Sequence, residues 1–175
     1  LRRIENFHYC FNAITSQRSS GTIASNYSKL AIKLTESKSN DEVQIVLNEL
    51  ARFLASKLPE KDEFVVKFSE LEYTSRKTKH KAIVKYTLSK LLPSDNGGLP
   101  IDLDMVTIEH LLPEARLKDD TDIVVASIGN LVLLDGRTNS EDLADKDPME
   151  KFKILKGIKY PTREKFLELD QWGVE

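Results

Sequence analysis

Val106-Thr107-Ile108-Glu109-His110-Leu111-Leu112-Pro113 is the stretch from which the fold can be read. Val106, Thr107 and Ile108 are β-branched, which favours an extended strand. Glu109 and His110 then set a carboxylate beside an imidazole, and Pro113 ends the run because it has no N–H to offer a ladder. Further along, Ile128-Gly129-Asn130-Leu131-Val132-Leu133-Leu134 supplies a Gly-Asn turn and a second apolar strand, and Asn139 follows nine positions after Asn130. Gly129 is expected to permit the tight turn, and the two pieces to fold onto each other with a helix starting at Asn139.

Before this stretch the periodicity is helical. Leu1, Ile4, Phe7, Phe11 and Ile14 recur at spacings of three and four, and Ser19-Ser20-Gly21 ends that pattern. A second helix carries Ile23, Tyr27, Leu30, Ala31 and Leu34. A third, opened by Asn40-Asp41-Glu42 and stopped by Pro59, is expected to bury Val43, Val46, Leu47, Leu50, Phe53, Leu54 and Leu58. Phe64, Val65, Phe68 and Leu71 fit a short fourth helix, although Phe64-Val65-Val66 fits a strand equally well. A fifth helix is predicted from Arg76 to Lys90, with no acid between Tyr73 and Ser94. Its Lys77, Lys79 and Lys81 either lie along phosphates, releasing counterions, or form a solvated face with acidic partners elsewhere.

The loop Pro93-Ser94-Asp95-Asn96-Gly97-Gly98-Leu99-Pro100 separates two parts. Residues 1–98 are expected to form a helical array, able to bind DNA or a partner. Residues 99–175 hold the two-strand finger and C-terminal helices, the last near Arg163 to Asp170. The fold class is therefore mainly α with a small β component.

Length, 175 residues, gives one domain's worth of chain with at most a small subdomain. With 40% apolar and 31% charged residues there is material for a core, which argues against a disordered chain. A net charge of −2 excludes general attraction for a polyanion, so any nucleic-acid contact must come from local basic residues. The single cysteine, Cys10, excludes an internal disulfide and a Cys-based zinc site. Without an apolar run of about 18 residues or a signal-peptide core, a soluble cytoplasmic protein without a membrane partner is expected. The start at Leu1, directly in a helical pattern, is expected of a fragment of a longer polypeptide.

At the end of a strand both Glu109 and His110 can approach one site. A carboxylate suits a hard divalent cation, and imidazole is the side chain best fitted to take a proton from water near neutral pH. Phosphodiester hydrolysis uses both, the metal stabilising charge on the phosphate and the base activating an in-line water. Asn130 can brace the loop with its two-sided amide. Asn139 would turn a carbonyl oxygen back to the metal, and Arg137, Lys151 and Lys153 would neutralise the phosphate.

These same residues resemble the HNH (ββα-metal, His-Me finger) nuclease signature. More narrowly, they resemble the C-terminal HNH domain of GmrSD-type modification-dependent restriction enzymes. The resemblance rests on the acidic-His-x-x-Pro start, the Gly-Asn-Leu strand and the second Asn. It extends to Asp147-Pro148-Met149-Glu150-Lys151 and to the helical residues Leu1 to Leu92. It implies His110 as general base, Glu109 and Asn139 as metal ligands, Asn130 as brace, and Mg²⁺ or Mn²⁺ as cofactor. It further implies foreign or modified DNA as substrate, defence against phage as role, and a nucleotide-hydrolysing ParB-like domain ahead of this one. The chain differs in lacking the cysteine pairs of many HNH fingers and in carrying Glu109 in place of Asp. Asp142 or Asp145 could share the role of Asn139. Two other readings stay open: a catalytically silent DNA- or partner-binding scaffold, and an RNase or toxin nuclease. His8 and His80 lack a partner set in the sequence and are read as structural.

Overall fold

The computed structural model describes residues 1–18, 21–92, 102–116, 123–136, 143 and 146–160. The chain divides into two compact units, Leu1–Ser69 and Glu70–Glu175. Among the described residues the architecture is mainly helical with one two-strand antiparallel sheet. No described helix is long and apolar enough to cross a membrane.

The first unit contains α1 (Arg2–His8), a π-helical continuation Tyr9–Ile14, α2 (Thr22–Glu36), α3 (Asn40–Ala55) and α4 (Lys61–Ser69). The apolar repeat of the first fourteen residues is thus carried by two helical forms, and the Thr15 N–H reaching Cys10 O at 3.1 Å marks the wider turn. Gly21 precedes α2 with φ +76°, a conformation that costs glycine nothing. α3 is capped by Ser39, whose Oγ accepts from the Glu42 N–H while the Glu42 carboxylate accepts from the Lys38 N–H. It ends at Ala55 instead of running to Leu58. The Lys57 and Leu58 N–H groups tighten onto Leu54 O and Ala55 O, because Pro59 disfavours helical backbone at the residue before it. Of the seven apolar residues expected inside, only Val46 and Leu54 are buried, while Leu47 and Leu58 are exposed. The open choice at Phe64-Val65-Val66 resolves as helix: Asp62 and Glu63 favour its first turn, and Phe64 stacks on Phe68 one turn later. Phe7, Ile23 and Leu54 centre the core, with Phe11, Tyr27 and Leu50 against it.

The second unit contains α5 (Lys81–Leu91), β1 (Val106–His110), α6 (Ile123–Ala126), β2 (Leu131–Asp135) and α7 (Pro148–Gly157). The basic helix predicted from Arg76 begins only at Lys81. Thr74 closes a turn over Thr74–Lys77 instead, its Oγ1 accepting from the Lys77 N–H at 2.9 Å and its N–H donating to Lys77 O. β1 and β2 pair antiparallel from Val106 opposite Asp135 to His110 opposite Leu131, with Glu109 facing Val132 across the ladder. Ile128–Asn130 forms a short 3₁₀ turn into β2. Gly129 has no left-handed φ there, and an added Cβ would meet only Ser127 Oγ at 3.8 Å, so the turn does not require glycine. The core joins Leu111, Val132, Leu134, Leu143, Phe152 and Leu155. The loop at 93–100, the start of the helix expected at Asn139 and the helix near Arg163 to Asp170 lie outside the described residues.

Candidate active site

Two extended segments and one helix bring the site together. Leu71 O accepts from the Ile128 N–H and the Tyr73 N–H donates to Ala126 O, laying residues 71–73 beside the chain that enters β2. The Tyr73 carbonyl accordingly reaches His110 at the end of β1, 2.8 Å from Nε2, and the two rings stack with centroids 5.9 Å apart. A carbonyl oxygen only accepts, so Nε2 carries a proton, and in the neutral ring the lone pair lies on Nδ1.

Asn130 is buried and its amide spans the loop. Oδ1 accepts from the Leu112 N–H at 2.7 Å, and Nδ2 donates to Leu112 O at 3.1 Å and to Val125 O at 2.9 Å. Its main-chain oxygen also accepts from the Leu111 N–H. The chain leaving His110 is thereby tied to the turn before β2.

α7 supplies the third part. Asp147 caps it, accepting from the Met149 and Glu150 N–H groups, with Pro148 at its start. Pro148, Lys151, Phe152 and Leu155 form the buried stripe, so the lysine faces inward by helical spacing. Its ammonium contacts the Glu109 carboxylate and donates to His110 O at 2.7 Å. Lys151 is 1% exposed, so its charge is turned to Glu109 and away from solvent phosphate.

Tyr73, Ser75, Glu109, His110, Glu114 and Lys151 line one cleft of about 260 Å³. Glu114 accepts from the Ser75 N–H, 3.0 Å from each carboxylate oxygen, and from the Ser75 hydroxyl. Of the remaining basic candidates, Lys77 pairs with Glu72 at 2.9 Å and Lys81 lies 6.0 Å from the Tyr73 ring centre. Lys79 and Lys153 are exposed. Arg137, Asn139, Asp142 and Asp145 lie outside the described residues. His8 is held by Asn12 and by the Tyr27 hydroxyl at 2.9 Å.

A divalent ion asks for several oxygen ligands around one point. Glu109 already holds the Lys151 ammonium, and no group of three or more His, Cys, Asp or Glu converges among the described residues. As they stand, the described residues do not fit such an ion.

Sequence reasoning did not single out Tyr73, Ser75 or Glu114, nor the pairing of Lys151 with Glu109. The lysine had a signal, its place on the Pro148, Phe152, Leu155 stripe. Tyr73 had none, because it acts through a main-chain oxygen.

Comparison with known families defines the class as a restriction endonuclease domain, for which DNA is the implied substrate. The matching model is that of GmrSD restriction endonucleases, C-terminal domain, over residues 58–175, and the chain belongs to that family. No curated protein and no solved structure matches it.

Proposed function

We propose that this chain is an HNH-type DNA endonuclease dependent on a divalent ion, Mg²⁺ or Mn²⁺. It acts in the cytoplasm as the effector domain of a GmrSD-like restriction system directed at phage. The observation that carries this reading is the commitment of His110 Nε2 to the Tyr73 carbonyl inside the cleft, which leaves Nδ1 to act as base. Nδ1 takes a proton from water, the water oxygen bonds to phosphorus, and the bond from phosphorus to one ester oxygen breaks. The departing oxygen is protonated from solvent. Asn130 keeps the chain after His110 in register with the turn before β2. Glu109 and Asn139 are the proposed metal ligands; Lys77, Lys79, Lys81, Arg137 and Lys153 are the proposed phosphate contacts. Residues 1–98 would add DNA or partner binding, alongside a nucleotide-hydrolysing domain on the same polypeptide.

Supercoiled plasmid and, separately, RNA incubated with the chain and Mg²⁺ or Mn²⁺ test this. Plasmid nicking is expected, and His110→Ala is expected to lower its rate by about 10²–10⁴-fold. Nicking at the wild-type rate by His110→Ala would sink the assignment. Cleavage of RNA alone would move the reading to a ribonuclease, and cleavage of neither to a binding scaffold.

A further inference from the structure

Among the described residues that line the cleft, the charged ones are Glu109, Glu114 and Lys151. Glu109 and Lys151 are paired, so Glu114 is left as the excess negative charge of the lining that also holds His110. Its carboxylate is held by neutral donors, the Ser75 N–H at 3.0 Å from each oxygen and the Ser75 hydroxyl. Backbone N–H groups and serine hydroxyls are donors that DNA-binding proteins commonly turn to phosphate oxygens. Here both serve a two-oxygen anion that belongs to the chain itself.

The donors do not depend on that anion for their place. Thr74 is buried and closes the Thr74–Lys77 turn through its own Oγ1 and N–H, so the Ser75 N–H stays presented when the carboxylate departs. Lys77 and the exposed Lys79 follow on the same segment. Glu114 opens a 3₁₀ turn directly after Pro113, and its contact with Ser75 is solvent-exposed, so rotation of one side chain frees both donors. We propose that the Ser75 N–H and hydroxyl form a subsite for a DNA phosphate in the cleft of His110, occupied in the free chain by Glu114 as an internal phosphate mimic. A phosphate oxygen of the substrate replaces the carboxylate on the same donors, and the carboxylate turns out to solvent. DNA affinity is lowered by the charge-assisted contact that must first be broken. The inference rests on the reading of DNA as the substrate. A carboxylate that merely shapes the cleft has the opposite sign, since its removal loosens the Ser75 segment and weakens binding.

Fluorescence anisotropy of a short labelled DNA duplex reads the exchange, with the full chain in EDTA so that the duplex stays uncut. Glu114→Ala is expected to bind about tenfold more tightly than wild type. Loss of a negative charge near the duplex would tighten binding by itself, so Ser75→Ala is added to each background. In the wild type that substitution weakens the resident carboxylate and the incoming phosphate alike, and affinity should change by less than about twofold. In Glu114→Ala only the phosphate loses a donor, and affinity should fall by about fivefold or more. A gain from Glu114→Ala that is equal with and without the Ser75 hydroxyl overturns the proposal, as does unchanged or weaker binding by Glu114→Ala. If that variant does not fold, Glu114→Gln runs the same cycle. It keeps the length and loses the charge, and the same signs are expected at smaller size. Plasmid nicking by the wild type is scored separately. Coupling of the two substitutions without nicking defeats the nuclease reading alone, and nicking without coupling defeats the subsite alone.

Discussion

Among the described residues of 1–69 the buried apolar side chains are Phe7, Ile14, Ile23, Leu30, Val46 and Leu54, and the buried polar one, Thr15, is satisfied within its own turn by Cys10 O and Phe11 O. In residues 70–175 the interior also takes in Glu109, His110, Asn130 and Lys151. Their partners are remote in sequence: Tyr73 is 37 residues from His110, Leu112 is 18 from Asn130, and Glu109 is 42 from Lys151. The first unit has remote polar contacts too, such as Gln17 with Glu63 and Lys33 with Glu49, but these lie at the surface, where such pairs contribute little. Burying polar groups is tolerated only when each is satisfied, so the second unit carries a constraint the first does not. Polar burial that packing alone does not need is a mark of a working site.

The contrast can be tested in stability as well as in activity. Phe7→Ala should cost about 3–5 kcal/mol in denaturant unfolding, the cavity cost of a buried aromatic, and by about the same amount at every pH. A strong pH dependence would show that the first unit's core is not the apolar one described. Asn130→Ala should cost on the order of 2–4 kcal/mol, because it strands the Leu112 N–H and the Leu112 and Val125 carbonyls. A neutral Asn130→Ala would remove the distinction between the two interiors. The smallest effect concerns Tyr160. Burial pushes its phenol up to about 12 from 10.0, partly offset by the hydrogen bond from the Leu133 N–H. A raised folded value means the unfolded chain ionises first as pH climbs. The stabilisation is then complete below pH 10.0 and is lost on the way to about 12. The fall should be on the order of 2–3 kcal/mol at its end and absent in Tyr160→Phe. A fall of equal size in that variant would assign it to other groups.

What could be read from sequence follows the same line. β1, β2 and the first three helices declare themselves through local periodicity, β-branching and caps, whereas Phe64-Val65-Val66 fits helix and strand alike, and only the structure shows α4 there. Glu109, His110 and Asn130 stood out because polar groups interrupt an apolar strand or its turn. The start of α5 was misplaced because a run of lysines resembles a helix face, while Thr74 draws Thr74–Lys77 into a turn. Lys151 reads from sequence as a phosphate contact because its charge is more conspicuous than its position, although its neighbours on the stripe are apolar. Glu114 and Ser75 meet across 39 residues, and no local pattern announces such a contact.

The hydrogen bond from His110 to residue 73 has an inheritance of its own. Every amino acid contributes the same carbonyl, so substitution at Tyr73 alters the stacked ring but leaves the oxygen that orients the imidazole. Drift in residue identity is therefore tolerated at that atom, whereas drift in chain length is not. One residue inserted between Leu71 and Tyr73 would turn the carbonyl at that position to the opposite side of the extended segment. Related chains are thus expected to vary freely in the letter at this position and to hold fast to the spacing around it.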